Sequence, residues 1–154
     1  MGILTCPVCN QKLSISGKAY TCPQNHSFDI AKSGYVNLLL SKHSKKNVHG
    51  DNKLMVQARR NFLEKGFYLP LRNAVCESIK DGVILDAGCG EGYYTSGVRE
   101  FLNNSEIYGI DISKTAVELA SKTHKNINFA TASVFHIPVI DSSCDSLITI
   151  FSPY

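Results

Sequence analysis

The stretch Ile84-Leu85-Asp86-Ala87-Gly88-Cys89-Gly90-Glu91-Gly92 decides how this chain is read. It opens as an apolar run of strand composition, and residues 93–102 beyond it carry helical spacing. Between the two, Gly88, Gly90 and Gly92 alternate, permitting the turn conformations and the close backbone approach that a bound cofactor requires. The spacing is G-x-G-x-G behind an acid, whereas a dinucleotide fold carries G-x-G-x-x-G. That difference is chemical. A dinucleotide sets its pyrophosphate on a helix N-terminus, but Asp86 and Glu91 repel phosphate and suit a cationic ligand.

Downstream, Ile107-Tyr108-Gly109-Ile110, Ile127-Asn128-Phe129-Ala130 and Leu147-Ile148-Thr149-Ile150-Phe151 are further short apolar runs, with a second helical stretch at 114–122. Strands alternating with helices predict βαβ units and a mostly parallel sheet. Asp111 closes the second run nineteen residues after Gly92, where a carboxylate can accept hydrogen bonds from both hydroxyls of a ribose. Strand, loop, helix, strand and terminal acid together resemble the class I S-adenosylmethionine-dependent methyltransferases. A tight βα turn with Asp111 as a helix cap is the plainer alternative. The resemblance extends to Ala132-Ser133-Val134-Phe135-His136-Ile137-Pro138, where that fold commonly has an acid beside the adenine. Here Ser133 stands in its place, a hydroxyl being a weaker partner for the adenine amino group. Ile137 is expected against the adenine face.

Upstream the pattern changes. Apolar residues at helical spacing run from Lys53 to near Gly66, and a second helix is predicted at 70–80. Residues 41–52 are polar and aperiodic, with Lys42, Lys45 and Lys46, and read as a solvated linker. Ahead of it, Cys6-x2-Cys9, twelve residues, then Cys22-x3-His26 offers three thiolates and an imidazole on turns able to converge on a tetrahedral zinc ion. Four protein ligands leave no open position, so such a zinc is structural and holds together a segment too short to build its own core. Redox-active thiols are the alternative for the same residues. Cys76 and Cys144 lack ligand spacing and read as packed thiols, and Cys89 sits where only a small side chain fits.

Charge divides the chain in the same place. Residues 1–82 carry 12 Lys and Arg against 5 Asp and Glu, while residues 83–154 carry 4 against 8. At 154 residues, 44% of them hydrophobic, the chain has room for one modest domain and a small appendage. It has no run long and apolar enough for a membrane span, and thiols at Cys6 and Cys9 interrupt any secretory h-region, which predicts a cytoplasmic protein without a membrane partner.

Read end to end, the zinc knuckle with the tail Gly34-Tyr35-Val36-Asn37-Leu38-Leu39, the segment Gln57-Ala58-Arg59-Arg60-x-Phe62-Leu63 and the loop Gly88 to Thr95 resemble the RlmA (RrmA) family of 23S rRNA guanine-N1 methyltransferases. The resemblance implies an α/β fold in which an N-terminal zinc-knuckle module precedes a class I, Rossmann-like methyltransferase domain that is incomplete at its C-terminus. The implied division is 1–40 for the zinc-binding, RNA-recognising module, 41–53 for a basic linker and 54–154 for the first part of the methyltransferase domain. It implies Cys6, Cys9, Cys22 and His26 as zinc ligands and S-adenosylmethionine as cofactor, with Tyr68, Asp86, Gly88, Gly90, Glu91, Gly92, Asp111 and Ser133 around it. The implied partner is a 23S rRNA hairpin, with the oligomeric state open and a homodimer among the options. Two other readings of the residues stay in play: a small-molecule methyltransferase, and an inactive zinc- and RNA-binding fragment.

Overall fold

Val83–Ala87 (β5) and Glu106–Asp111 (β6) form the centre of the structure, a computed structural model that describes residues 2–40 and 51–152. Lys42, Lys45 and Lys46 of the expected linker, and Tyr154, lie outside the described residues. β5 and β6 pair in parallel over five residues, from Val83 opposite Glu106 to Ala87 opposite Ile110. Asn128–Thr131 (β7) adds to the far side of β6 and Ser146–Ile148 (β8) to the far side of β5. Because the chain steps outward from β5 to β6 and β7 and then returns past β5 to β8, the strand order reverses there. Such a reversal leaves a crevice beyond the carboxyl ends of the strands.

Helices Tyr93–Phe101 (α3) and Lys114–Thr123 (α4) make the two parallel crossovers as the sequence predicts. Side chains alternate across the sheet with the period of two that strands impose. Ile84, Ile107 and Ile148 face Val98 of α3 and Cys76, and Phe129 meets Val117 and Ala120 of α4. Helices Lys53–Leu63 (α1) and Leu69–Ser78 (α2) precede the sheet. Asn52 caps α1 by accepting the Met55 amide at 3.0 Å, and Pro70 sits in the first turn of α2, where its missing N–H costs nothing. α1 buries Val56 and Leu63 and leaves Leu54 and Met55 in solvent.

The first forty residues do more than the knuckle predicts. Ser14–Ser16 (β1), Ala19–Thr21 (β2) and Ser27–Asp29 (β3) form a three-stranded antiparallel ribbon within and just after the ligand spacing. Val36–Asn37 (β4) then leaves the ribbon and pairs in parallel with β7, giving a five-stranded sheet of order β4-β7-β6-β5-β8. Leu38 continues the contact, its amide donating to the Thr131 carbonyl at 2.9 Å. The N-terminal strand also bonds the loop before β8, Thr5 N–H to the Pro138 carbonyl at 2.8 Å and Ile140 N–H to the Ile3 carbonyl at 2.9 Å. Thus Ile3, Leu4, Leu13, Cys22, Val36 and Leu38 share one buried cluster with the sheet face of Leu85, Ala87, Tyr108, Ile110 and Ala130. One face of the parallel sheet is covered by helices and the other by the ribbon.

Two element ends fall three residues short of expectation. The fourth run pairs only over Ser146–Ile148, because its partner β5 runs out at the glycine loop and Phe151 takes a left-handed φ of 54° that turns the chain away. α1 stops at Leu63, three residues short of Gly66, whose φ of 81° breaks the helical path to α2.

Candidate functional site

The glycine loop hangs from the end of β5 by two bonds to one carbonyl: the amides of Gly88 and Cys89 both donate to Ile110, at 2.8 and 3.0 Å. Gly88 has φ 95°, and a Cβ there would stand 2.4 Å from the Ser152 side chain, so only glycine closes this turn. Gly92, at φ 88°, is the N-cap of α3. Asp111, at the end of β6, bridges outward. Its Oδ2 accepts the Gly90 amide at 2.9 Å and its Oδ1 the Ser113 amide at 2.8 Å, so the carboxylate is locked in orientation with lone pairs to spare.

Above these groups lies a cavity of about 370 Å³. Gly88, Gly90, Glu91 and Asp111 line it, as does Ser133, whose hydroxyl accepts the Phe135 amide at 3.2 Å. Four expected residues stand back from the wall. Asp86 is 2% exposed beneath the loop, accepting the Thr95 hydroxyl at 2.6 Å, and Gly92 lies under the helix start. Tyr68 stands behind the wall residue Phe151, its ring edge-on to it with centroids 5.8 Å apart. Ile137 is solvent-exposed, and Ile112, Val134 and Phe135 occupy the wall expected of it.

The cavity is acidic. Burial pushes Asp86 up to about 7, the Thr95 hydroxyl opposing and the charges of Asp111 and Glu91 adding to the rise. Burial also raises Glu91, with Arg59 and Arg60 pulling the other way. The sequence reading missed the cavity's roof. Asp51, just ahead of α1, and Arg59, midway along it, line this side and are paired to each other, while the Ser113 hydroxyl donates to the Asp51 carbonyl at 2.8 Å. Tyr94 also lines the wall. No local pattern marks Asp51 or Arg59, since their place depends on a contact between residues 62 positions apart.

At the other site the four ligand atoms of Cys6, Cys9, Cys22 and His26 lie within 4.8 Å of one another. Cys9 and Cys22 sulfurs are 3.6 Å apart, and the His26 Nδ1 is 3.5 Å from Cys6 and 3.3 Å from Cys22. Edges of a zinc tetrahedron with bonds of 2.0–2.3 Å are roughly 3.3–3.8 Å long, so the donor set fits that ion. Each knuckle is a backbone turn. Asn10 N–H donates to the Cys6 carbonyl at 2.8 Å and Asn25 N–H to the Cys22 carbonyl at 2.9 Å, both asparagines in the left-handed region that Asn tolerates. The Val8 amide points at the Cys6 sulfur at 3.4 Å. Burial pushes the Cys22 thiol up, but amides of His26 and Gln24 outweigh it and bring it to about 7, near the thiolate a metal needs. Cys76 and Cys89 are buried and Cys144 is half-buried, and none of the three belongs to this ligand group.

A parallel sheet with a glycine loop, an acid-ended second strand and a cavity at the reversal of strand order defines a class I methyltransferase fold, here preceded by a zinc ribbon. Residues 78–152 match a methyltransferase domain family and residues 4–46 match the N-terminal zinc ribbon of RlmA. A solved chain of Methanococcus maripaludis, named as a candidate S-adenosyl-L-methionine-dependent methyltransferase, has a TM-score of 0.56 at 21% identity, covering 68% of this chain and 53% of that one, a likeness of fold. Among curated relatives, the 23S rRNA (guanine(748)-N(1))-methyltransferase of Streptomyces fradiae is 30% identical over 97% of this chain and 55% of its own length. YxjB of Bacillus subtilis, named as a candidate 23S rRNA (guanine-N(1)-)-methyltransferase, is 35% identical over 96% of this chain and 56% of its own. Over nearly its whole length the chain is similar to members of the RlmA family. It spans about half the length of the curated relatives it matches. Among the described residues no helix is long and apolar enough to cross a membrane.

Proposed function

We propose that this chain carries the cofactor-binding and RNA-recognising parts of an S-adenosylmethionine-dependent methyltransferase acting on N1 of a guanine in a 23S rRNA hairpin. The observation that carries this reading is Asp111, fixed by the Gly90 and Ser113 amides at the mouth of an acidic cavity. A carboxylate so held accepts a pair of ribose hydroxyls without reorganising, and no phosphate would tolerate it. Ser133 at the β7 end suits the adenine amino group, with Ile112 and Val134 as apolar walls. Glu91 and Asp111 give the field that favours a cation over its neutral product.

When bound, the cofactor supplies an electrophilic methyl group on a sulfonium. The chain's own contribution is alignment and exclusion of water: the glycine loop seats the ligand and the Asp51–Arg59 pair covers it from α1. The net positive first half of the chain suits an RNA backbone, and the curated relatives are named for 23S rRNA. The ribbon is a structural metal module, since its four ligands leave no position for water.

Calorimetric titration of the 154-residue chain with S-adenosylmethionine, zinc content being read on the same sample, tests the reading. Binding in the micromolar range with about one zinc per chain supports it, followed by methylation of an rRNA hairpin that stops primer extension at a guanine. Turnover on small acceptors without any RNA dependence overturns the substrate assignment.

A further inference from the structure

Two groups of wall residues set how a ligand lies in the cavity. Asp111, Ile112 and Ser133 come from the ends of β6 and β7, while Gly88, Glu91 and Tyr94 come from the loop after β5 and the first turn of α3. Since β5 lies on the β8 side of β6, these groups are the two ends of one cavity. A nucleoside with its ribose on Asp111 and its base toward β7 therefore extends its 5′ substituent toward the glycine loop and Tyr94. For the proposed cofactor that substituent ends in an amino acid, a zwitterion with one ammonium and one carboxylate.

Tyr94 is the unexplained group at this end. Its ring packs edge-on against Tyr93, centroids 5.1 Å apart, and its hydroxyl is buried with no hydrogen-bond partner among the described residues. Buried tyrosine hydroxyls ordinarily find partners, because an unpaired one loses water without compensation. Burial, with Tyr93, Tyr68 and Glu91 adding, raises the phenol above its ordinary value, so it stays protonated and can donate. Glu91 on the same wall is the natural counter-ion for an ammonium and cannot serve a carboxylate. Arg59, the cation in the wall, is already paired with Asp51.

We infer that Tyr94 is the donor that binds the carboxylate of the cofactor's amino-acid end, Glu91 taking the ammonium. The assignment rests on the cofactor reading above and goes beyond it in making Tyr94 a positioning and specificity residue. A hydroxyl on a carboxylate makes a short, charge-assisted hydrogen bond that orients the amino acid and with it the sulfonium.

The test is Tyr94→Phe in the full chain, with calorimetric affinities for S-adenosylmethionine and for its decarboxylated analogue, plus the thermal midpoint of the free chain. The expected result is affinity for S-adenosylmethionine weakened roughly ten- to a hundredfold, with affinity for the decarboxylated analogue unchanged. The ligand-free midpoint should hold or rise, because the hydroxyl removed has no partner to lose. Equal affinity of the variant and the unaltered chain for S-adenosylmethionine overturns the inference and leaves the cofactor reading standing. An equal loss on both ligands overturns it too, as the carboxylate is then not the group bound. If the unaltered chain binds neither ligand, the cofactor reading falls first and the inference with it.

Discussion

The ribbon and the parallel sheet hold themselves together by opposite means. The ribbon strands are three residues each and largely exposed, and their organisation comes from four ligand atoms gathered within 4.8 Å. The sheet has strands of up to six residues, buried on both faces, and needs no ligand to form. One region is held by coordination and the other by excluded water. Yet they share a hydrophobic cluster, so the weaker region is propped by the stronger and covers a face that would otherwise meet solvent.

The largest test removes the metal. A structural zinc contributes on the order of 10 kcal/mol in small metal-folded peptides. Chelation, or Cys22→Ser, is expected to unfold the ribbon and to expose the Leu38 amide, which bonds Thr131, while the β5–β6 ladder persists. Hydrogen exchange resolves this. Full protection of Leu38 without metal would show that the two regions are independent after all.

A second test strikes the sheet side. Gly88→Ala forces a Cβ to 2.4 Å from Ser152 at φ 95° and should destabilise the chain by about 1–3 kcal/mol in urea unfolding, abolishing cofactor binding while zinc content holds. Loss of zinc as well would mean the cluster transmits damage in both directions.

Smaller and pH-dependent is Asp86→Asn. Folding raises this carboxyl from 3.8 to about 7, so across that window the folded chain keeps a proton that the unfolded chain has released. Stability contributed by the protonated group is complete below the unfolded value and is lost as pH rises toward 7. The asparagine variant should therefore gain on the parent progressively between about pH 4 and 7 and hold that gain above it, measured by urea midpoints with zinc in excess. A constant difference would place Asp86 as an ordinary ionised acid.

The smallest effect concerns RNA. Arg60→Gln removes a cation that bonds Glu64 at 2.7 Å and Thr123 at 3.4 Å, and it should weaken hairpin binding uniformly, lowering the salt slope by about one. An unchanged slope would put the RNA path elsewhere.

What could be read from the sequence follows the range of the interactions. Ligand spacing, the glycine loop and Asp111 lie within short stretches whose local geometry dictates their use, and they stand together as expected. The helices announce themselves through period, though α1 buries Val56 and Leu63 where the sequence also offers Leu54 and Met55. β4 was illegible. Two residues, Val36 and Asn37, carry no strand pattern, and their pairing with Ala130 and Thr131 is set by a fold made almost a hundred residues later. Asp51 and Tyr94 were missed for related reasons: one acts through its carbonyl, and the other reads as a core aromatic until its hydroxyl is seen without a partner.

The strand that the ribbon lends to the sheet has a geometric consequence. With β4 hydrogen-bonded to β7, and β7 ending at the Ser133 wall, the ribbon cannot swing as a tethered bead. The span between the metal site and the cavity is a fixed length, so under the function proposed above an RNA held at one and methylated at the other would be measured as by a ruler. On that proposal, a stem presenting its guanine one helical step too near or too far would miss the cavity even with every base in its loop correct.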